Sequence, residues 1–113
     1  MLLKKMGIIS SKVSQLQRRM LLLTLRMELV TDICVVEASA IIDCDFETIK
    51  SSFLDLREQA LKFSDAIFNL LHETDVTEFA SSARALQEQS EQLREDLILM
   101  NGQFIKVCRN YFK

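Results

Sequence analysis

Apolar residues recur along the chain at alternating intervals of three and four positions. This is the a and d rhythm of a heptad repeat, which is typical of helices that pack side by side. The rhythm predicts a first helix over residues 11–42, after a short leader at 1–10, with Ser10 or Ser11 as the N-cap. The helix should end at Asp43-Cys44-Asp45. Its line contains one polar residue, Glu37, and otherwise reads Val13, Leu16, Met20, Leu23, Met27, Val30, Cys34 and Ile41.

Two further lines follow in the same rhythm. Asp45 suits the N-cap of a helix over 46–72, whose line reads Ile49, Phe53, Leu56, Ala60, Phe63, Ile67 and Leu70. Asp75 and Glu78 have the spacing of a capping box and predict a third helix over 76–112. Its line reads Val76, Phe79, Ala83, Leu86, Ser90, Leu93, Leu97, Met100, Phe104, Val107 and Tyr111. Asn101-Gly102 suits a helix end, but the line keeps its phase through this pair, which favours one helix.

Short connections make sequential helices antiparallel neighbours. The pattern therefore predicts an all-α fold, an elongated antiparallel three-helix bundle with coiled-coil-like heptad packing, formed as a single domain over 11–113. The composition agrees, because the chain has no proline and only two glycines, residues that long helices exclude from their interiors. Length and rhythm are similar to a spectrin-type repeat in architecture, although the chain lacks the tryptophans typical of that family.

Residues for catalysis or metal binding are scarce. His72 is the single histidine, and the two glycines do not form a phosphate loop or a nucleophile elbow. Cys34, Cys44 and Cys108 are odd in number, form no C-x-x-C pair and have apolar neighbours. They are typical of reduced structural thiols. We expect a non-enzymatic intracellular protein, cytoplasmic or nuclear, without a metal or other cofactor.

Charge is unevenly distributed, with a net charge of −2. Residues 28–105 contain all sixteen acidic residues against five basic ones, which disfavours nucleic-acid binding. Residues 1–27 contain no acid and six basic residues, Lys4, Lys5, Lys12, Arg18, Arg19 and Arg26. These residues either keep an apolar helix soluble and pair with neighbouring acids, or attach the helix to a membrane or organelle surface. A mitochondrial presequence has a loosely similar composition, but this segment already joins the heptad line.

The Met20–Ile42 stretch is largely apolar, yet Arg26, Glu28, Asp32 and Glu37 interrupt it too often for a membrane span. Its surplus apolar residues lie off the heptad line and suggest contacts on several sides. The last third of the third helix widens similarly, adding Ile98, Leu99, Ile105, Cys108 and Phe112. The predicted partner-binding residues are Leu21, Leu22, Leu25, Leu29, Val35, Val36, Ile42, Ile98, Ile105 and Phe112.

This surplus predicts a structural or adaptor subunit of a multiprotein assembly, homo- or hetero-oligomeric, formed through helix packing. The first alternative is a helical module at a membrane surface that uses the basic N-terminal helix. The second is a bundle that opens to carry an apolar ligand, which would remain a monomer and bind hydrophobic dyes.

Overall fold

The chain folds into three long helices. A computed structural model describes residues 2–34, 40–73 and 77–111, with side chains over 2–31, 46–72 and 77–110. Helix α1 spans Leu2–Cys34, α2 spans Ala40–Glu73, and α3 spans Ala80–Tyr111 after a single 3-10 turn at Thr77–Phe79. The described residues contain no strand, and the three helices pack against one another. The predicted all-α three-helix bundle is confirmed.

Helices α1 and α3 run parallel, and α2 runs against both. Ser10 bonds to Gln89 at 2.8 Å and Gln17 bonds to Asp96 at 3.0 Å, and both pairs are 79 residues apart. This constant offset is the signature of a parallel pair. Phe53, in the first half of α2, stacks on Phe104 near the end of α3 with ring centroids 4.1 Å apart. The result is a rod of 57 × 18 × 17 Å.

One continuous core runs along the rod axis and follows the three heptad lines. Its residues fall three, four or seven apart on each helix, so each helix turns one stripe inward. The Phe53–Phe104 stack thickens the core where the start of α2 meets the end of α3. The buried apolar residues are Met6, Val13, Leu16, Met20, Leu23, Met27, Val30, Phe46, Ile49, Phe53, Leu56, Ala60, Ile67, Leu70, Ala83, Leu86, Leu93, Met100 and Val107.

The start of α1 corrects one prediction, because residues 2–10 are helical and not a leader. The cause is Met6, which lies one heptad before Val13 and is only 3% exposed. Leu2 and Ile9 also pack against the core. Ser10 is therefore inside the helix, where its hydroxyl donates to Gln89 of α3 and does not act as an N-cap.

The first turn corrects a second prediction. Helix α1 ends at Cys34 and α2 begins at Ala40, so Asp43-Cys44-Asp45 lies within α2. An aspartate costs a helix at most about 0.7 kcal/mol relative to alanine, too little to end a helix whose next seam residue, Phe46, is 5% exposed. Ile41 and Ile42 consequently belong to α2.

The remaining boundaries agree more closely. Helix α2 ends at Glu73, one residue beyond the predicted end at 72. Helix α3 is continuous through Asn101-Gly102, as its unbroken line predicted. Its predicted start at 76 becomes a 3-10 turn at Thr77–Phe79. Asp75, the predicted cap, lies outside the described residues.

Candidate protein-interaction surface

Four leucines form an exposed row on the outer side of α1. Leu21, Leu22, Leu25 and Leu29, together called the leucine face, are 59%, 60%, 50% and 60% exposed. Their spacing of one, three and four residues keeps them on one side of the helix. The core seam of α1 faces the opposite way, through residues such as Met20 and Met27, both 0% exposed. The seam already provides the contacts of α1 with its bundle, so the leucine face is left in water.

The leucine face borders the groove between α1 and α3. Ser14 accepts a hydrogen bond from the Gln89 amide of α3 at 2.9 Å. Leu21 follows Ser14 by seven residues, so it occupies the same side of α1 two turns further along. Leu99, which is 65% exposed, follows Asp96 of this groove by one turn. The parallel register of α1 and α3 places Leu99 level with Met20, next to the leucine face.

Two predicted partner-binding residues of α3 are exposed but lie elsewhere. Ile98 is 70% exposed and Ile105 is 45% exposed. At about 100° per residue, both fall on the side of α3 that faces away from α1 and towards α2. They therefore lie on a different surface from the leucine face. Three further exposed apolar residues lie on α2 and were not predicted, because only the heptad line of that helix was considered. They are Leu54, Leu61 and Phe68.

The side chains of the four remaining predicted partner-binding residues lie outside the described part of the chain. Val35, Val36 and Phe112 lie outside the described residues. Ile42 lies on α2, not on the first helix as predicted, and its side chain is also outside the described set. Of the partner-binding residues predicted on the first helix, the described structure thus places the four leucines of the leucine face in water.

The six basic residues of α1 are all exposed, but they do not form one patch. Lys5, Lys12, Arg19 and Arg26 are spaced by seven residues, which places them in one row along the edge of α1 beside α2. In this row, Arg19 lies 3.7 Å from the Asp55 carboxylate of α2. Both side chains are more than half exposed, so the ion pair contributes little stability.

Lys4 and Arg18 form the second group. Lys4, Ser11, Arg18 and Leu25 are spaced by seven residues and share one side of α1. Arg18 lies just before the leucine face, and Glu28, seven residues after Leu21, lies at its far end. All three charged side chains are exposed. The leucine face is therefore bounded by positive charge towards the N-terminus and by negative charge towards the C-terminus.

An open groove of about 600 Å³ separates the end of α2 from the start of α3. Its apolar wall includes Ile67, Phe68 and Leu71, and its rim carries charges of both signs, Arg84 and Glu91 among them. The His72 ring stacks on Phe68 at 4.0 Å and its Nδ1 lies 2.9 Å from the Phe68 carbonyl oxygen. His72 thus sits at the helix end, as predicted, and its ring contacts its own helix.

Groups with reactive chemistry are few in the described part of the chain. Partial burial raises the pKa of the Cys108 thiol, and the positive charge of Lys50 opposes this rise. Cys108 is a free thiol. Over residues 2–31, 46–72 and 77–110, no three His, Cys, Asp or Glu side chains converge on a point where a metal ion would fit. No described helix combines the length and apolar character that a membrane crossing needs.

Compared with protein-family models, with curated proteins and with solved structures, the chain matches none. The exposed surface of the bundle therefore provides the observations from which a function can be proposed.

Proposed function

We propose that this protein is a non-enzymatic structural or adaptor subunit that joins a protein assembly by helix packing on the leucine face. The observation that carries the proposal is the exposure of Leu21, Leu22, Leu25 and Leu29, each at least half in water on consecutive turns of one helix. Isolated exposed leucines are ordinary on a protein surface. A contiguous apolar row bounded by charges is typical of a protein-interaction site.

The free energy gained by burying the leucine face, compared with the free energy that association costs, indicates what kind of partner the face requires. Burying the exposed half of a leucine side chain contributes about 1 kcal/mol, so the face contributes roughly 4 kcal/mol. Association itself costs about 4 to 15 kcal/mol in lost freedom of motion. The leucine face cannot offset this cost against a polar surface, so the partner must contribute an apolar helix face of its own.

Attachment to a membrane surface is the alternative proposal. Lys4 and Arg18 favour it, because they share the side of α1 that carries the leucines and would meet anionic lipid headgroups. Glu28 on the same side opposes it, and four of the six basic residues of α1 lie along the α2 edge. Ionic strength separates the two proposals, since lipid attachment weakens sharply in salt whereas apolar helix packing persists.

Light scattering of the purified chain over a range of concentrations tests the proposal. We expect a mass above that of the monomer, and we expect Leu29→Glu to reduce it to the monomer without loss of helical circular dichroism. The matched control is Leu61→Glu, a leucine of α2 that is 52% exposed and should leave the mass unchanged. A monodisperse monomer at every concentration would contradict the proposal, as would loss of helix content in a monomeric Leu29→Glu variant.

A further inference from the structure

The charges at the two ends of the leucine face give it a direction. Arg18 lies at one end and Glu28 at the other, ten residues apart on the outer side of α1. Both are exposed, and neither has an ion-pair partner among the described residues. By contrast, Arg19 already pairs with Asp55. A partner helix that satisfies both ends of the face must present an acid beside Arg18 and a base beside Glu28.

We propose that the partner is a second copy of this chain, docked leucine face to leucine face with the two α1 helices antiparallel; this inference rests on the proposed function. An antiparallel pair places Arg18 of each copy beside Glu28 of the other, so the same attractive contact forms twice. A parallel pair would place Arg18 beside Arg18 and Glu28 beside Glu28. Charges that flank an apolar seam select helix orientation in this way.

The apolar residues also fit a two-fold arrangement. When Arg18 and Glu28 are matched, the symmetry axis passes between Leu22 and Leu25, so Leu21 of one copy lies beside Leu25 of the other. A two-fold interface uses the same patch on both subunits. A second copy therefore supplies apolar neighbours for Leu21, Leu22 and Leu25, whereas Leu29, at the end of the face, lies beside Gln17 of the other copy. Leu99 of α3, exposed at the same level of the rod, would extend the contact on one side of each α1.

Charge reversal tests the orientation. We expect Arg18→Glu and Glu28→Arg each to weaken dimerisation roughly tenfold, since each variant makes two contacts repulsive. The double variant should recover the association of the natural chain, because both contacts are again attractive. The matched control reverses Lys62 and Glu58 on α2, which pair at 3.2 Å within one helix, and should have no effect. Sedimentation equilibrium measures each dissociation constant, and circular dichroism verifies helix content.

Cysteine cross-linking provides a second readout. In a variant whose three natural cysteines are replaced by serine, Leu22→Cys should cross-link to itself because it lies near the axis. Arg18→Cys alone should not cross-link, whereas an equimolar mixture of Arg18→Cys and Glu28→Cys should. Self-cross-linking of Arg18→Cys would indicate a parallel pair and overturn the inference.

The two proposals fail differently. If Leu29→Glu abolishes self-association but charge reversal has no effect and Arg18→Cys cross-links to itself, the antiparallel dimer is wrong and the proposed function remains. If the natural chain is monomeric at every concentration, both fail. If the chain is monomeric but binds vesicles of phosphatidylserine and phosphatidylcholine, and Leu29→Glu abolishes that binding, the occupant of the leucine face is a lipid surface and the dimer is overturned.

Discussion

The N-terminal and C-terminal halves of the parallel α1–α3 pair differ in the side chains that line the rim of the groove between the two helices. In the N-terminal half, residues 2–17 of α1 and 80–96 of α3, polar side chains bridge the rim of the groove. The Gln89 amide donates to the Ser10 carbonyl and to the Ser14 hydroxyl, each at 2.9 Å. In the C-terminal half, residues 18–34 of α1 and 97–111 of α3, the position equivalent to Ser14 carries a leucine, and so do two exposed positions close to the groove.

The heptad makes this comparison direct, because positions seven apart have equivalent surroundings. Ser14 corresponds to Leu21, and Gln15 corresponds to Leu22. On α3, Gln92 corresponds to Leu99. The N-terminal half therefore demonstrates that the bundle closes with small or polar side chains at these positions. The leucines of the C-terminal half are not needed to close the bundle, and this difference is the strongest reason to assign them to a partner.

The largest change in the free energy of unfolding should come from a substitution in the core beneath the two halves. Phe53 is 2% exposed and stacks on Phe104 in the C-terminal half. We expect Phe53→Ala to lower the free energy of unfolding by about 3 to 5 kcal/mol, since it removes a fully buried aromatic ring. Urea denaturation at a concentration without self-association measures the change. Phe68→Ala is the control, because Phe68 is 53% exposed; an equal loss in both variants would show that the C-terminal core is not organised by the stack.

Removing the hydrogen bonds at the polar rim of the N-terminal half should lower the free energy of unfolding by an intermediate amount. Gln89 makes three hydrogen bonds to α1, and each contributes about 0.5 to 1.5 kcal/mol net where buried and less where exposed. We expect Gln89→Ala to lower the free energy of unfolding by about 1 to 2 kcal/mol, with faster amide exchange in residues 2–17. Gln92→Ala, which removes only a bond within α3, is the control. Equal stability of the Gln89→Ala variant and the natural chain would mean that the rim bonds do not join the helices.

The smallest change in stability should follow from exchanging the rims. Replacing Leu21 by Ser and Leu22 by Gln copies Ser14 and Gln15 into the C-terminal half. We expect the free energy of unfolding of the monomer to change by less than about 1 kcal/mol, as is usual for surface positions. Self-association should nevertheless be lost, which sedimentation measures on the same sample. A loss of several kcal/mol would assign these leucines to the bundle and remove the distinction between the halves.

Much of the fold follows from the heptad lines alone. Met20, Met27 and Phe53 were placed on seams by spacing, and all three are buried. The continuity of α3 across Asn101-Gly102 was also predicted, since apolar phase outweighs the weak helix preference of two residues. The errors lie at the ends of α1. Met6 was excluded from the pattern although it falls one heptad before Val13, and the turn was placed at aspartates that α2 incorporates.

The arrangement of exposed residues was harder to predict from the sequence than the core. The exposure of Leu25 and Leu29 followed from their distance from the seam, because the seam fixes which side of a helix is buried. The division between Leu99 and Ile98 could not be predicted, since it depends on which neighbour lies on which side of α3. The sequence pattern is identical for either handedness of the bundle. The same uncertainty concealed the separation of the basic residues into two rows.

The odd number of helices has a mechanical consequence. Because α1 and α3 run parallel, Leu2 and Tyr111 lie towards opposite ends of a rod 57 Å long. A pulling force applied through these residues acts along the rod and slides α3 past α1, so the whole α1–α3 contact resists in shear. The three bonds of Gln89 cross that sliding plane. A tensile load applied between Leu2 and Tyr111 is therefore shared by the contacts along the whole α1–α3 pair.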